Sequence, residues 1–172
     1  MDIVYSANVV EFVTVGAEYC AFLEQSQGRD KDSFVDTLLK LLPLLYLKAT
    51  LLPKVEGSEV FGVESFVTEA DYEWLRSTLT AVMGEDDAYE ELVYDEQMQT
   101  DEAHWKSVGE ELSDIYQPVR DFVETFRAGV EDNIAEALWA LNDSFELYWG
   151  GNIVDVLRRL HRVKYTIRST GE

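Results

Sequence analysis

One cysteine, three prolines, ten glycines and 14 cationic side chains are scarce in a chain of 172 residues that carries 34 carboxylates. The lone Cys20 excludes an internal disulfide framework and points to a reducing compartment. The shortage of cations leaves a formal net charge of −20. That balance excludes the basic face needed to grip the phosphates of DNA or RNA, and it disfavours docking on anionic membranes. No apolar run suits a bilayer span: Leu38 to Leu52 is interrupted by Lys40, Pro43 and Lys48 and falls short of about 20 residues. The opening Met-Asp-Ile-Val-Tyr lacks the cationic stretch of a secretory signal. These absences give the expectation of a soluble, cytoplasmic protein forming one domain over residues 1–172.

What the chain does have is apolar bulk. Hydrophobic residues make up 47%, with 4 Trp, 9 Tyr and 8 Phe to bury, which argues against disorder despite the charge. A chain of this length hides roughly 70% of the surface its unfolded form exposes.

The apolar spacing is helical throughout. Tyr5, Val9, Phe12, Gly16, Tyr19 and Leu23 form one stripe, predicting a helix over 2–26. A second helix, 33–52, is apolar almost all round, the pattern of a central helix, with Pro43 predicting a kink or two shorter helices. Residues 53–67 read as a loop with a short strand-like piece. Thr68 to Asp71 resembles a capping signature that opens a third helix, which Gly84 ends. Residues 85–103 are polar and acidic and read as a long mobile connection. A fourth helix follows, about 104–126, with Pro118 predicting a bend and a freed carbonyl near Tyr116-Gln117. The fifth covers 131–148, Gly150-Gly151-Asn152 breaks the chain, and the sixth covers 152–168 with Ile153, Val156, Leu157, Leu160 and Ile167. The expected fold is all-α: a single-domain bundle of about six helices with a long acidic loop between the third and fourth.

Charge is uneven along the chain. Residues 150–172 hold Arg158, Arg159, Arg162, Lys164 and Arg168 against only Asp155 and Glu172. Such a helix can fold back on an acidic body, with its cations near its own C-terminus. It can also present a cationic surface to a partner or ligand.

Catalytic and metal motifs are missing. The two histidines, His104 and His161, have Asp101 and Arg158 three residues before them, so no Glu-x-x-His of a di-iron bundle exists. Zinc spacing fails with one cysteine. No Asp-x-Asp-x-Asp-Gly loop makes the 85–102 carboxylates a calcium site. Neither a nucleophile elbow nor a glycine-rich phosphate cradle occurs. Cys20 reads as a buried structural thiol. The expectation is no metal, no cofactor and no catalytic residue.

A few polar or aromatic residues sit where apolar ones would continue the pattern: Glu18, Tyr116, Glu146, Trp149 and His161. Separately, each would tie helices together or face water. Together they would form a polar pocket walled by aromatics, a candidate ligand site.

Ile115-Tyr116-Gln117, Asp121-Phe122-Val123, Ala137-Leu138-Trp139, Phe145 to Gly150, and Leu157 to His161 with Tyr165 resemble an uncharacterised bacterial family of small, acidic, all-helical proteins, a domain of unknown function. Phe12-Val13, Tyr19 to Glu24 and Leu42 to Tyr46 extend the resemblance over nearly the whole chain. It implies a helical fold and a bacterial origin, and it carries no activity.

With no catalytic motif and a strongly acidic surface, the expected function is a non-enzymatic protein–protein interaction or regulatory module. Charge of this sign steers a basic protein partner. The alternative is a small-ligand-binding protein or enzyme using the polar-aromatic pocket. Monomer and homodimer both fit the sequence.

Overall fold

A computed structural model of the chain describes residues 3–57 and 64–166. Three of the helices start where a side chain supplies an acceptor for the free N–H groups of a first turn. A 3-10 turn at Ile3–Tyr5 leads into α1 (Ala7–Glu24). Asp30 accepts from the Ser33 amide at 3.1 Å and opens α2 (Lys31–Thr50). Thr68 and Asp71 close a full capping box at 3.0 and 3.2 Å, as the sequence predicts, and α3 (Glu69–Met83) follows. Ser107 accepts from Glu110 at 3.2 Å and opens α4 (Val108–Ala128). Gly84 and Gly129 end α3 and α4 at φ +57° and +75°, backbone values that side chains other than hydrogen rarely tolerate.

The last third departs from the predicted break at Gly150-Gly151-Asn152. α5 (Glu131–Ser144) runs through a π-helical turn, Phe145–Trp149, directly into α6 (Gly150–His161), and a second π turn, Arg162–Thr166, extends it. Among the described residues the fold therefore has five helical rods rather than six. The glycine acts by absence of bulk: a Cβ at Gly150 would stand 2.7 Å from the Phe145 carbonyl oxygen. The wide turn closes because nothing is there. Pro43 and Pro118 lie inside α2 and α4, and neither divides its helix.

α4 occupies the centre, packed against α1, α3, α5 and α6. It buries Val108, Leu112, Ile115, Val119, Phe122 and Val123, while Phe12 and Tyr19 come from α1 and Ile153, Val156 and Leu160 from α6. The expectation of a central second helix is corrected here. α2 packs on α1 and α6 through Phe34, Leu38, Leu42, Leu45 and Ala49, and leaves Leu44, Leu47 and Leu51 exposed on its other side. Both sets step by three or four residues, so the sequence contains two apolar stripes of which the core takes one.

The acidic connection is also corrected. After a 3-10 turn at Gly84–Asp86, residues 88–107 form an antiparallel hairpin, β1 (Ala88–Asp95) and β2 (Thr100–Ser107), in register from Ala88↔Ser107 to Asp95↔Thr100. The fold is thus mostly helical with a two-stranded sheet. Tyr89, Leu92, Val93 and Tyr94 are strand formers interleaved with the carboxylates. Asp95 closes the turn by accepting from the Gln97 and Met98 amides at 2.9 and 3.2 Å. His104 belongs to β2, so α4 begins four residues later than the spacing predicts.

Residues 53–57 and 64–67 contain no strand, and the predicted strand-like piece otherwise falls on 58–63, outside the described residues, as do Ile167 and Arg168. Asp121 of α4 accepts from the Phe66 and Val67 amides at 2.8 and 3.1 Å and holds the approach to α3. Among the described residues no helix is long and apolar enough to cross a membrane.

Candidate functional site

The base of the hairpin is clamped to α4 by one buried carboxylate. Asp87 accepts from the Ser107 hydroxyl and from the Gly109 amide, both at 2.7 Å, while its carbonyl accepts from Val108 at 3.0 Å. The strands leave the body from this point.

The hairpin's inner side meets α4 and α6 through a charged cluster. Tyr89 of β1 donates its phenolic hydrogen to Glu111, which is buried on the first turns of α4. The other Glu111 oxygen is buried without a hydrogen-bond partner. Burial pushes the Glu111 carboxyl up to about 7, against the opposing pull of the Tyr89 hydrogen bond and the Lys106 charge. Burial, then the bond to Glu111, also raises the Tyr89 phenol. Lys106 of β2 bridges Glu91 at 2.7 Å and Asp155 of α6 at 3.0 Å. Burial works against its charge, yet those two bonds hold the ammonium above its ordinary value.

Beside this cluster, a groove of about 520 Å³ separates β1 from α6. Arg159 crosses its end, donating to the Asp86 carbonyl at 3.3 and 3.0 Å with its guanidinium 5.2 Å from the Tyr89 ring centre. Arg158 and Arg162, one turn apart, also line it, and both are exposed with no ion pair or hydrogen bond among the described residues. The cationic last helix of the sequence therefore divides its labour. Arg159 and Lys164, the latter bonded to Asp36 of α2, fold back on the body, whereas Arg158 and Arg162 face outward.

On the hairpin's outer side Leu92, Tyr94 and Trp105 are 69%, 59% and 73% exposed. The register puts them on one face, with Glu90 opposite Trp105 and Asp101 opposite Tyr94. An apolar strip rimmed by carboxylates results.

The five residues singled out from sequence occupy separate surroundings. Glu18 is exposed on α1. Tyr116 is buried and donates to Glu24 at 2.5 Å, next to Arg120, which donates to the same carboxylate at 2.7 Å. Glu146 pairs with Lys54 at 2.7 Å. Trp149 is a core residue whose indole N–H donates to Ser144 at 3.0 Å. His161 is exposed, its ring 4.7 Å from that of Tyr165. Tyr116 and His161 line two different grooves, and none of the other three joins either. Among the described residues no group of three or more His, Cys, Asp or Glu is placed to hold a metal ion.

Sequence reasoning passed over Tyr89 because 85–103 was read as a connection, and over Trp105, Lys106 and Glu111 because they fell in the fourth helix predicted over about 104–126. The available signal was the strand-forming residues, with an aromatic or apolar side chain at Tyr89, Leu92, Val93, Tyr94 and Trp105.

No curated protein matches the chain. Among solved structures, the crystal structure of protein BF1032 from Bacteroides fragilis is similar, with 41% sequence identity and a TM-score of 0.83, covering 95% of this chain and 96% of that one. A match over residues 3–166 completes the assignment: the chain belongs to the domain of unknown function DUF5063.

Proposed function

We propose that the protein is a non-enzymatic protein-binding module whose contact element is the hairpin. The observation that carries this reading is the exposed strip of Leu92, Tyr94 and Trp105 on a sheet of only two strands. Isolated hairpins are marginal in water, and here a buried aspartate and a charged cluster hold one away from the core with its largest ring outward. Apolar groups concentrated like this on an otherwise acidic surface are the usual mark of a contact site.

The partner's chemistry follows from the rim. Glu90 and Asp101 share the face of the strip, and the net charge of −20 attracts cations over a Debye length of about 8 Å. A partner with an apolar centre and a basic surround fits both features, and association with it is faster at low salt.

The test compares baits. Wild-type protein and a Leu92→Ser/Trp105→Ala variant of the full chain are immobilised, and bound proteins are quantified by mass spectrometry. A basic protein retained stoichiometrically by the wild type and lost from the variant supports the reading. Identical recovery on both baits overturns it.

A further inference from the structure

The groove between β1 and α6 has the two walls of a strand-accepting site. One wall is formed by the consecutive residues Ala88 to Leu92, among them the exposed Glu90, with Trp105 of β2 beside them. Side chains of consecutive strand residues point to opposite faces, so a groove that touches all five reaches the backbone edge of β1. β1 pairs with β2 on one side alone, and among the described residues its other edge has no strand partner. Alternate N–H and C=O groups on that edge are free to bond a further strand.

The opposite wall supplies charge. Glu91 and Asp155 are both taken up by Lys106, and Arg159 is held by the Asp86 carbonyl. That leaves Arg158 and Arg162 as two exposed guanidiniums with no ion pair among the described residues. Guanidinium forks match carboxylates through two parallel hydrogen bonds. The spacing also fits. Four residues of helix rise about 6 Å, and alternate residues of an extended strand are about 6.6 Å apart.

We propose that this groove receives an extended, carboxylate-bearing segment of a partner protein, which adds to the edge of β1 as a third strand and places two acidic side chains, two residues apart, on Arg158 and Arg162. The inference rests on the reading of the hairpin as the contact element and specifies how the partner engages it. Main-chain bonds to β1 supply affinity and the arginines supply selectivity. The surrounding negative charge limits the occupant to a few carboxylates, because a polyanion is repelled by the rest of the surface. A partner that is basic overall and acidic in this one segment satisfies both the long-range attraction and the local pairing.

The test selects short random peptides displayed on phage against the full chain, then measures a synthetic copy of the selected peptide by fluorescence anisotropy. Enrichment of sequences with two carboxylates two residues apart is expected. Affinity should fall roughly tenfold or more in Arg158→Ala/Arg162→Ala, and by a similar factor when alternate peptide nitrogens along the pairing edge are methylated. Inorganic phosphate should weaken binding no more than chloride at the same ionic strength. No acidic enrichment, or equal affinity for the double-arginine variant, overturns the proposal. Indifference to methylation, or displacement by phosphate beyond that of chloride, shows an anion site and overturns it as well. A dimer in sedimentation that dissociates in the double-arginine variant assigns the groove to a second copy of the chain, which also overturns it. If the peptide arm fails while the Leu92→Ser/Trp105→Ala bait still loses its protein, only this inference falls. Failure of both removes the hairpin reading itself.

Discussion

Tyr89 on β1 donates its phenolic hydrogen to Glu111 on α4, a carboxyl whose second oxygen is buried with no partner. The hairpin is therefore attached to the body through a group that resists ionisation, with Lys106 the nearby cation and Asp155 and Glu91 the nearby anions. The carboxyl titrates at about 7 in the folded protein against an ordinary 4.5. Between those values the folded state holds a proton that the unfolded chain releases, so stability falls as pH rises from about 4.5 to about 7 and then levels off. The full effect is up to about 3 kcal/mol. Glu111→Gln should flatten that part of the profile, as read from urea unfolding at pH 5 and pH 8. Parallel profiles for the two proteins would show that Glu111 is already ionised in the fold.

Tyr89→Phe tests the same contact from the other side. It removes the hydrogen bond and leaves both Glu111 oxygens buried and unsatisfied, a loss of about 1–3 kcal/mol. The loss should be larger at pH 8 than at pH 5, because a protonated carboxyl suffers less from burial without a donor. Equal losses at the two pH values would contradict the buried-carboxyl account.

Asp87 predicts a different pattern. Its carboxylate receives the Ser107 hydroxyl and the Gly109 amide where β2 passes into α4. Asp87→Ala leaves a buried amide without an acceptor and should lower global stability by about 2–3 kcal/mol. Hydrogen exchange should rise first in the strand amides of 88–107, since that junction secures the hairpin. Uniform acceleration over the whole chain would mean the junction is not a local clamp.

Much of the fold was legible in the sequence, and the failures have physical causes. The α1 stripe from Val9 to Leu23 and the Thr68–Asp71 box read correctly because periodicity and capping are local properties, whereas Tyr5, placed at the head of that stripe, precedes α1 and is exposed. Two glycines in a row at 150 and 151 signal a break by propensity. Tertiary packing reverses that signal, since the Phe145 ring and carbonyl press against Gly150 while Gly151 has open space. α2 looked central because composition counts both of its stripes and cannot say which one finds a neighbour. The hairpin was hidden by its carboxylates, which occupy its edges and rim and so dilute the alternation of a strand. The candidate pocket was not legible at all: Glu18, Tyr116, Glu146, Trp149 and His161 share a character in sequence, but which rods bring side chains together depends on packing. The groove's cationic wall, by contrast, was visible as the excess of arginine after residue 150.

The glycines give a paired prediction on one scale. A Cβ at Gly109 would lie 2.5 Å from the Thr80 hydroxyl oxygen and 2.8 Å from the Thr80 backbone nitrogen, where α4 packs on α3. Gly109→Ala gains about 1 kcal/mol of helix propensity, yet the clash with backbone cannot relax by a rotamer change. A net loss of about 1–3 kcal/mol is expected. Gly151→Ala has nothing within 4 Å and lies inside α6, so it should gain about 0.5–1 kcal/mol. Thermal unfolding of the two variants should bracket the wild type. Destabilisation by Gly151→Ala would mean that α6 needs glycine there for its path out of the π turn.

Cys20 allows folding to be followed without altering the protein. It is 1% exposed on α1, and burial, with Glu24 adding to it, pushes the thiol well above its ordinary value. Only the thiolate attacks a disulfide reagent, so both access and ionisation protect it in the folded chain. At pH 8, labelling by a chromogenic disulfide should be slow in buffer and immediate in denaturant. In buffer the labelling rate should depend on opening of the core and rise in Gly109→Ala, whose loosened α3–α4 contact lies beside the helix that packs on α1. The Leu92→Ser/Trp105→Ala variant should label like the wild type, because those side chains stand outside the core. If that variant labels as fast as Gly109→Ala, the outer face of the hairpin is part of what holds the bundle closed, and its exposed side chains would have a structural duty in place of a binding one.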